Sequence, residues 1–157
     1  MKADKIIFPG VGEARTAMNY LKEKNLDRII PELKQPVLGI CLGLQLMCQH
    51  SEESNTDCMG IFPLKVKKFP ALDKVPHIGW NTITKLKTEL FKGCDENSFM
   101  YYVHSYFAET GENTIAETNY IQPFSAALNK KNFYAVQFHP EKSSSIGEQI
   151  LKNFLAV

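Results

Sequence analysis

The sequence predicts an α/β fold with a mixed sheet, and two features of the residue order support it. A strand–helix–strand unit opens the chain, and a second half rich in strands follows it, which is typical of a sheet covered by helices. The composition agrees, because 157 residues with 44% hydrophobic and 22% charged side chains are typical of one soluble globular domain. We therefore expect residues 1–157 to form a single domain.

The first half of the chain has three regular elements. Residues 6–8 form a short apolar run that ends at Pro9 and Gly10, which predicts a strand closed by a turn. Residues 13–24 predict an amphipathic helix that ends at Asn25. Its apolar residues recur at helical spacing and are Ala14, Ala17, Met18 and Leu21. Residues 37–40 are apolar throughout, as expected for a central parallel strand.

Strands dominate the second half of the chain. Leu64 and Val66 alternate with lysines, which predicts a strand with one solvated face. Residues 78–86 and 99–107 also predict strands. An antiparallel hairpin is predicted around the polar turn at residues 129–132, and its two strands are residues 124–128 and 133–138.

A helix is predicted at the C-terminal end of the chain. Ser145 and Glu148 have the spacing of a capping box at its start. The apolar residues expected to face the core are Ile146, Ile150, Leu151, Phe154 and Leu155.

Charge and composition exclude several classes of function. Eighteen Lys+Arg against 17 Asp+Glu give a net charge of +1, so electrostatics does not favour nucleic acid or an anionic membrane as a partner. No apolar run approaches the ~20 residues of a membrane-spanning helix, and the first residues lack the apolar stretch of a secretory signal. Four cysteines without a C-x-x-C pair fit neither a zinc site nor a disulfide scaffold, so we expect a reducing, cytoplasmic compartment.

Cys41 is the candidate nucleophile. It stands between Gly39 and Gly43, after an apolar strand and before a helical segment, which is the arrangement of a nucleophile elbow. The amides at the start of the helix are expected to lower the pKa of the thiol, and the amide of Leu42 is expected to point at the oxyanion of a tetrahedral intermediate. The alternative is a buried structural cysteine, which is our interpretation of the other three, Cys48, Cys58 and Cys94.

His139 is the candidate base. It ends an apolar strand and is followed by Pro140 and Glu141, so a carboxylate two residues on can reach back and orient the imidazole. An isolated histidine in such a place is usually a satisfied turn residue, and the presence of the elbow and Glu141 makes the catalytic interpretation the stronger one. His104, among aromatic residues, is interpreted as structural, while His50 after the elbow helix and His77 in a loop have no partner pattern.

Five motifs of the sequence resemble those of the class I (triad) glutamine amidotransferases and occur in the order found in that class. GICLGLQ at residues 39–45 and QFHPEKS at residues 137–143 carry the resemblance to the class. PGVG at residues 9–12, PHIGWN at 76–81 and YVHSYF at 102–107 narrow it to the glutaminase subunits of imidazole glycerol phosphate synthase. The resemblance extends over essentially the whole chain. It implies a three-layer fold with a mixed, largely parallel central sheet flanked by helices, and hydrolysis of glutamine to glutamate and ammonia for histidine biosynthesis.

The resemblance also implies roles for individual residues. Cys41, His139 and Glu141 match the catalytic triad. Val11 and Gly12 match a loop that supplies the second oxyanion amide after a peptide rearrangement. Gln45 and Glu53 match contacts to the glutamine head group, and the backbone of Ser105 and Tyr106 matches further contacts. No metal or cofactor is expected.

A partner is implied as well. The family's glutaminase subunit forms a heterodimer with a cyclase that has the form of a (β/α)₈ barrel and consumes the ammonia. Trp80, Tyr101 and Lys142 lie in motifs that the family places at this interface. Without the resemblance, Trp80 would be interpreted as a core residue and Lys142 as a solvated charge.

The chain departs from the family at its start. Family members have a strand, a turn and a helix before the segment that matches residues 2–12, so we expect the first βα unit to be absent here and a sheet edge to be exposed. Two other functions therefore stay open: a shortened domain that binds its partner without catalysis, and another class I thiol hydrolase, such as one acting on γ-glutamyl peptides.

Overall fold

The computed structural model describes residues 3–157, which form four α-helices and eleven strands. Three further 3-10 turns are at Ile30–Glu32, Glu89–Phe91 and Pro140–Lys142. The helices are α1 (Ala14–Glu23), α2 (Leu26–Ile29), α3 (Leu42–Met47) and α4 (Ser144–Ala156). The strands are β1 (Ile6–Gly10), β2 (Val37–Cys41), β3 (His50–Ser51), β4 (Thr56–Asp57), β5 (Lys65–Lys68), β6 (His77–Thr82), β7 (Phe99–His104), β8 (Tyr106–Ala108), β9 (Thr114–Tyr120), β10 (Gln122–Lys130) and β11 (Phe133–Val136).

The main sheet has five strands in the order β1-β2-β11-β10-β9. β1, β2 and β11 run parallel, whereas β10 is antiparallel to both of its neighbours. This arrangement confirms the predicted α/β fold with a mixed sheet. β1 is the outer strand among the described residues, and its Pro9 is tolerated there because proline lacks the N–H that an interior strand needs.

Two cores cover the two faces of the main sheet, and this explains the unbroken apolar run in β2. Val37 packs in one core with α1 and α3, while its neighbour Leu38 packs in the other with α4. Successive residues of a strand point to opposite faces, so a strand that is covered on both sides needs an apolar residue at every position.

The remaining strands form two smaller sheets. One has four strands in the order β4-β3-β5-β8, and the other pairs β6 with β7. The strand predicted at residues 99–107 is therefore two strands, because the chain changes sheets at Ser105. β6 begins at His77, which we expected in a loop, and it ends at Thr82, before Lys85 and Thr88 adopt positive φ angles.

The second half of the main sheet contains the predicted hairpin and one strand that the sequence did not indicate. β10 and β11 pair up to Lys130 and Phe133, as expected. β9 was not predicted because it buries the polar residues Thr114 and Thr118. Their hydroxyls are satisfied inside the protein, by the Ser125 hydroxyl at 2.8 Å for Thr114 and by the Thr82 carbonyl at 2.9 Å for Thr118.

α1, α3 and α4 lie where helices were predicted, whereas α2 was not predicted. The start and the inner face of α4 also differ from the prediction. The predicted capping box is wrong, since Ser145 lies inside the helix and the cap is Ser143, whose hydroxyl is bonded elsewhere. Leu155 was also predicted to face the core and is 62% exposed, whereas Ile150 and Phe154 are buried. Within residues 3–157, no helix is long and apolar enough to cross a membrane.

Candidate active site

Cys41 occupies a strained turn between β2 and α3. Its φ of 55° and ψ of −109° lie outside the regions that non-glycine residues prefer. The flanking glycines permit the turn, because a Cβ on Gly43 would lie 2.1 Å from the carbonyl oxygen of Phe8 and one on Gly39 would lie 2.5 Å from Sδ of Met47. The structure thus has the nucleophile-elbow geometry that the sequence predicts.

The Cys41 thiol is neutral at pH 7 in this arrangement. Burial raises its pKa from 9.0 to about 11, and the nearby negative charges of Glu141 and Glu53 act in the same direction. The amide of Leu42 and the side-chain amide of Gln137 favour the thiolate without outweighing burial. Our expectation of a lowered pKa is therefore wrong, because loss of hydration dominates over the amides of a short helix. A neutral thiol is a weak nucleophile, so an attack by Cys41 would require a neighbouring base to take its proton.

His139, the predicted base, is held in place by three neighbours. Its Nδ1 lies 2.8 Å from Oε1 of Glu141, and since the carboxylate accepts, Nδ1 carries the proton and Nε2 is left as the acceptor. The backbone N–H of His139 donates to the Tyr101 carbonyl at 2.9 Å. The Ser143 hydroxyl donates to the His139 carbonyl at 2.6 Å and accepts from the Tyr101 N–H at 3.0 Å. Ser143 was not singled out from the sequence, because its role depends on a contact with β7.

One cavity of about 450 Å³ brings most of the predicted site residues together. Cys41 and His139 line it, and Glu141 lies behind His139. The other predicted residues in its wall are Val11, Gly12, Leu42, Gln45, Glu53, Ser105, Tyr106 and Lys142. In the resting arrangement, Sγ of Cys41 donates to the Val103 carbonyl at 3.8 Å.

The three residues predicted to form the oxyanion hole line the same cavity as Cys41. Leu42 is the first residue of α3, so its N–H has no partner within the helix. Gly10 pairs with Cys41 in the register of β1 and β2, which brings the following residues Val11 and Gly12 to the same end of the sheet. Gly12 has a φ of 102°, a conformation that favours glycine, and Val11 is exposed.

Gln45, in the cavity wall, forms a hydrogen-bonded pair with Gln137. Nε2 of Gln45 donates to the Tyr106 carbonyl at 2.9 Å and to Oε1 of Gln137 at 3.1 Å. Nε2 of Gln137 in turn donates to Sγ of Cys41 at 3.7 Å. Both hydrogens of the Gln45 amide are therefore used, and its Oε1 is left as an acceptor for a ligand. Gln137 was missed in the sequence, although it follows the last residue of β11 and precedes His139 by two residues.

Glu53 supplies negative charge at the cavity wall. Its Oε2 accepts from the Ala14 N–H at the start of α1, at 2.8 Å, and burial raises its pKa. Ser105 and Tyr106, whose backbone is expected to contact the substrate, have carbonyls that are bonded within the protein. The Ser105 carbonyl accepts from the Phe69 N–H, and the Tyr106 carbonyl accepts from Gln45 and His104.

His77 and His50, for which the sequence indicated no partner, each have one in the structure. His77 and His104 are both buried, and Nδ1 of His77 lies 2.9 Å from Nε2 of His104. His50 has Asp57 as its neighbour, with 2.8 Å between Nδ1 and Oδ1. No sequence pattern indicated either pair, because each partner is supplied by the neighbouring strand.

Two of the predicted interface residues, Trp80 and Tyr101, lie on the paired strands β6 and β7. Trp80 is 52% exposed, which excludes the alternative of a core tryptophan. It pairs with Tyr101 across β6 and β7, and their ring centroids are 5.8 Å apart. Ile78, Phe99 and Val103 are exposed on the same two strands. Lys142 is exposed and contributes to the cavity wall.

The other cysteines contribute nothing to this site. All four cysteines are free, and Cys48 is fully buried with its Sγ donating to the Leu44 carbonyl at 3.4 Å. Burial raises the pKa of Cys48, Cys58 and Cys94. Among residues 3–157, no cluster of three or more His, Cys, Asp or Glu side chains is placed to hold a metal ion.

Comparison with known sequences gives consistent results. A family model described as glutamine amidotransferase class-I matches residues 1–157. The chain is 64% identical over 156 residues to imidazole glycerol phosphate synthase subunit HisH of Bacteroides fragilis, covering 98% of this chain and 80% of that protein. It is 50% identical over 161 residues to subunit HisH of Blochmanniella floridana, covering 100% of this chain and 82% of that protein.

Solved structures share the fold at low sequence identity. A protein of Thermoplasma acidophilum, assigned to GMP synthase as one of its subunits, has a TM-score of 0.73 at 20% identity, covering 99% of this chain and 72% of that one. A glutamine amidotransferase of Thermotoga maritima has a TM-score of 0.67 at 16% identity, covering 99% of this chain and 64% of that one.

Proposed function

This chain belongs to the class I glutamine amidotransferases, in the family of the HisH subunits, and from that membership we propose that it hydrolyses L-glutamine to glutamate and ammonia. The observation that carries the proposal is one cavity lined by Cys41 and His139, with Glu141 bonded to the second nitrogen of the imidazole. We also propose that the ammonia passes to a cyclase subunit of imidazole glycerol phosphate synthase, for histidine biosynthesis.

The first half-reaction forms a thioester. Nε2 of His139 takes the proton of the Cys41 thiol, and the sulfur attacks the side-chain carbonyl carbon of glutamine. The imidazolium is stabilised by Glu141 at Nδ1 and then gives its proton to the amide nitrogen as the carbon–nitrogen bond breaks. Ammonia leaves, and a γ-glutamyl thioester remains on Cys41.

The second half-reaction returns the enzyme to its starting state. A water molecule attacks the thioester carbon while His139 accepts one of its protons. The carbon–sulfur bond then breaks, the sulfur regains the proton from His139, and glutamate leaves. The same base therefore serves both halves, and this explains why its position is fixed from both the side chain and the backbone.

The oxyanion of each tetrahedral intermediate needs two donors. The Leu42 N–H is one of them, because it lies next to the nucleophile at the start of α3. The second is an amide of the loop at Val11 and Gly12, which turns toward the cavity when the loop rearranges. Gly12 permits that change, since both signs of φ are accessible to glycine.

The cavity also offers complementary groups for the head group of glutamine. The Glu53 carboxylate attracts the α-ammonium group, and Oε1 of Gln45 is an acceptor not used by the Tyr106 and Gln137 contacts. Lys142 supplies the opposite charge at the rim. The substrate contacts therefore come from α3, from the segment that contains Glu53 and from the turn at Ser105 and Tyr106.

The partner is proposed to dock on the exposed face of β6 and β7. Trp80, Ile78, Phe99 and Val103 expose apolar surface there, and clustered exposed apolar residues mark interaction surfaces. Tyr101 and Lys142 join this face to the cavity, so a barrel-shaped cyclase seated on it would receive the ammonia directly. Ammonia released into bulk water at pH 7 would be protonated, which would stop it from acting as a nucleophile.

The experiment measures glutamate release from glutamine, with and without the cognate cyclase, for the wild type and two cysteine variants. Cys41→Ala is expected to abolish glutamate release in the complex. Cys48→Ala is the matched control, because it removes a buried thiol outside the cavity, and it is expected to retain most of the activity. Equal rates for Cys41→Ala and the wild type would refute the proposal. A stable complex without glutamate release would favour a binding role, and preferential cleavage of γ-glutamyl peptides would favour another thiol hydrolase.

A further inference from the structure

A buried pair of histidines, His77 and His104, lies at the edge of the site, where His104 contributes to the cavity wall, and has no role in the catalytic steps proposed above. His77 begins β6 and His104 ends β7, and the two are directly opposite in the antiparallel register. They are 4% and 6% exposed. Aromatic rings enclose them: the His77 ring stacks on Tyr102 and Tyr120, and the His104 ring packs against Phe69 and Phe124.

The pair is joined to the nucleophile by successive hydrogen bonds. Nδ1 of His104 donates to the Tyr106 carbonyl at 2.8 Å, and that same oxygen accepts from Nε2 of Gln45 at 2.9 Å. Gln45 then donates to Gln137, which donates to Sγ of Cys41. At the other end, the Asn81 amide lies 3.4 Å from Nε2 of His77 and donates to the Asn119 carbonyl at 3.1 Å.

One backbone carbonyl determines the direction of every bond in this series. The Tyr106 oxygen only accepts, so His104 must carry its proton on Nδ1 and Gln45 must present its nitrogen. If His104 is neutral, its Nε2 then accepts from Nδ1 of His77, and Nε2 of His77 accepts from the Asn81 amide. Burial supports the neutral state, because it lowers the pKa of His77 to about 4 and that of His104 to about 3.

We propose that His77 and His104 are positioning residues that fix the Tyr106 carbonyl and, through it, the orientation of the Gln45 amide toward bound glutamine. This inference rests on the proposed glutaminase function and deepens it. With His104 in place, the Tyr106 oxygen has two donors and a fixed position. The Nε2 of Gln45 then stays bonded to the Tyr106 carbonyl and to Gln137, and its Oε1 is available to the substrate.

The aromatic enclosure explains why two rings serve rather than one polar side chain. Nε2 of His104 would be an unsatisfied buried acceptor without His77, which is costly in an apolar environment. His77 supplies the donor from its Nδ1, and its Nε2 accepts from the Asn81 amide at the edge of the enclosure. The pair therefore satisfies each buried nitrogen while leaving a single defined tautomer for both rings.

The first test reads the tautomers directly in the folded wild-type chain. Nitrogen-15 NMR of histidine-labelled protein at pH 7 is expected to show both rings neutral and protonated at Nδ1. The assignment comes from single His77→Gln and His104→Asn variants. A ring that is charged at pH 7, or that carries its proton on Nε2, would overturn the proposal.

The second test separates positioning from packing by steady-state kinetics of the complex with the cyclase. His104→Leu leaves the Tyr106 oxygen with one donor, so KM for glutamine is expected to rise about five- to tenfold while kcat changes less than about twofold. His104→Asn is expected to restore KM, because the asparagine amide nitrogen takes the position of Nδ1. Tyr102→Phe is the matched control, since it removes the 2.6 Å bond to Thr118 in the same enclosure, and KM is expected to be unchanged.

The outcomes distinguish this inference from the proposed function. If the wild-type complex releases no glutamate, the glutaminase function fails and KM has no meaning, whereas the NMR result still describes the pair. If the wild type is active and folded His104→Leu has the wild-type KM, or if Tyr102→Phe raises KM equally, the positioning role is refuted. If His104→Leu does not fold, the NMR result and His104→Asn decide.

Discussion

Gly43 gives the sharpest test of the elbow, because two physical effects predict opposite signs for Gly43→Ala. Alanine in a helix is favoured over glycine by about 1 kcal/mol, so propensity alone predicts a more stable protein. In the structure, however, the new Cβ would lie 2.1 Å from the Phe8 carbonyl oxygen. Phe8 belongs to β1 and pairs with Gly39 of β2, so the clash can be relieved only by moving the strand or the helix by about 1 Å. Overpacking of this kind typically destabilises by about 1–3 kcal/mol or more.

We expect a net destabilisation of about 2 kcal/mol, which for a domain of this size lowers Tm by about 4–8 °C. Urea unfolding followed by circular dichroism measures the change in the free energy of unfolding. Asn19→Ala is the control, because Asn19 is exposed on α1 and alanine there should be neutral or slightly stabilising. We also expect Gly43→Ala to lose glutaminase activity, since the helix carrying Leu42 and the strand leading to Val11 are pushed apart. A Gly43→Ala protein that is as stable as the wild type would refute the close approach on which the elbow depends.

Three further predictions follow from the pKa values and hydrogen bonds of the site. Because the pKa of Cys41 is about 11, about one thiol in 10⁴ is ionised at pH 7. Alkylation of Cys41 by iodoacetamide, followed by mass spectrometry, should therefore accelerate about tenfold per pH unit up to pH 10. A fast, pH-independent rate would contradict the buried neutral thiol. Ser143→Ala removes a hydroxyl bonded to both His139 and Tyr101. We therefore expect a destabilisation of about 1–3 kcal/mol and a lower kcat with little change in KM. The exposed control, Ser145→Ala, should change neither the stability nor kcat. The folded-state pKa values of His77 and His104 lie below the ordinary 6.5. Their contribution to stability is therefore complete above pH 6.5 and is lost as pH falls toward 3, because the unfolded chain binds protons that the folded chain does not. Urea midpoints at pH 7.5 and 4.5 should differ more for the wild type than for His104→Leu, and equal differences would contradict the lowered pKa of His104.

Local patterns in the sequence predicted those parts of the fold that depend on neighbouring residues. The apolar run of residues 37–40 indicated a doubly covered strand, and the glycines on both sides of Cys41 indicated the sharp turn after it. His139 and Glu141 could be paired from sequence because only two positions separate them. Each of these features is decided within one element or at one junction.

Features that depend on distant parts of the chain could not be predicted in the same way. β9 was missed because Thr114 and Thr118 look polar until their buried partners are known. The pKa of Cys41 was predicted in the wrong direction, since the amide effect is local whereas burial depends on the whole cavity. His77 and His104 are 27 residues apart, and only the pairing of β6 with β7 brings their rings together.

The exposure of Trp80 has a practical consequence for spectroscopy. It is the only tryptophan in the chain, and it is already 52% exposed in the folded protein. Its fluorescence should therefore change little when the protein unfolds, because water surrounds much of the indole ring in both states. The same emission should shift to shorter wavelength when another surface covers β6 and β7. The intrinsic signal of this protein is thus a poor reporter of folding and a single-site reporter of docking.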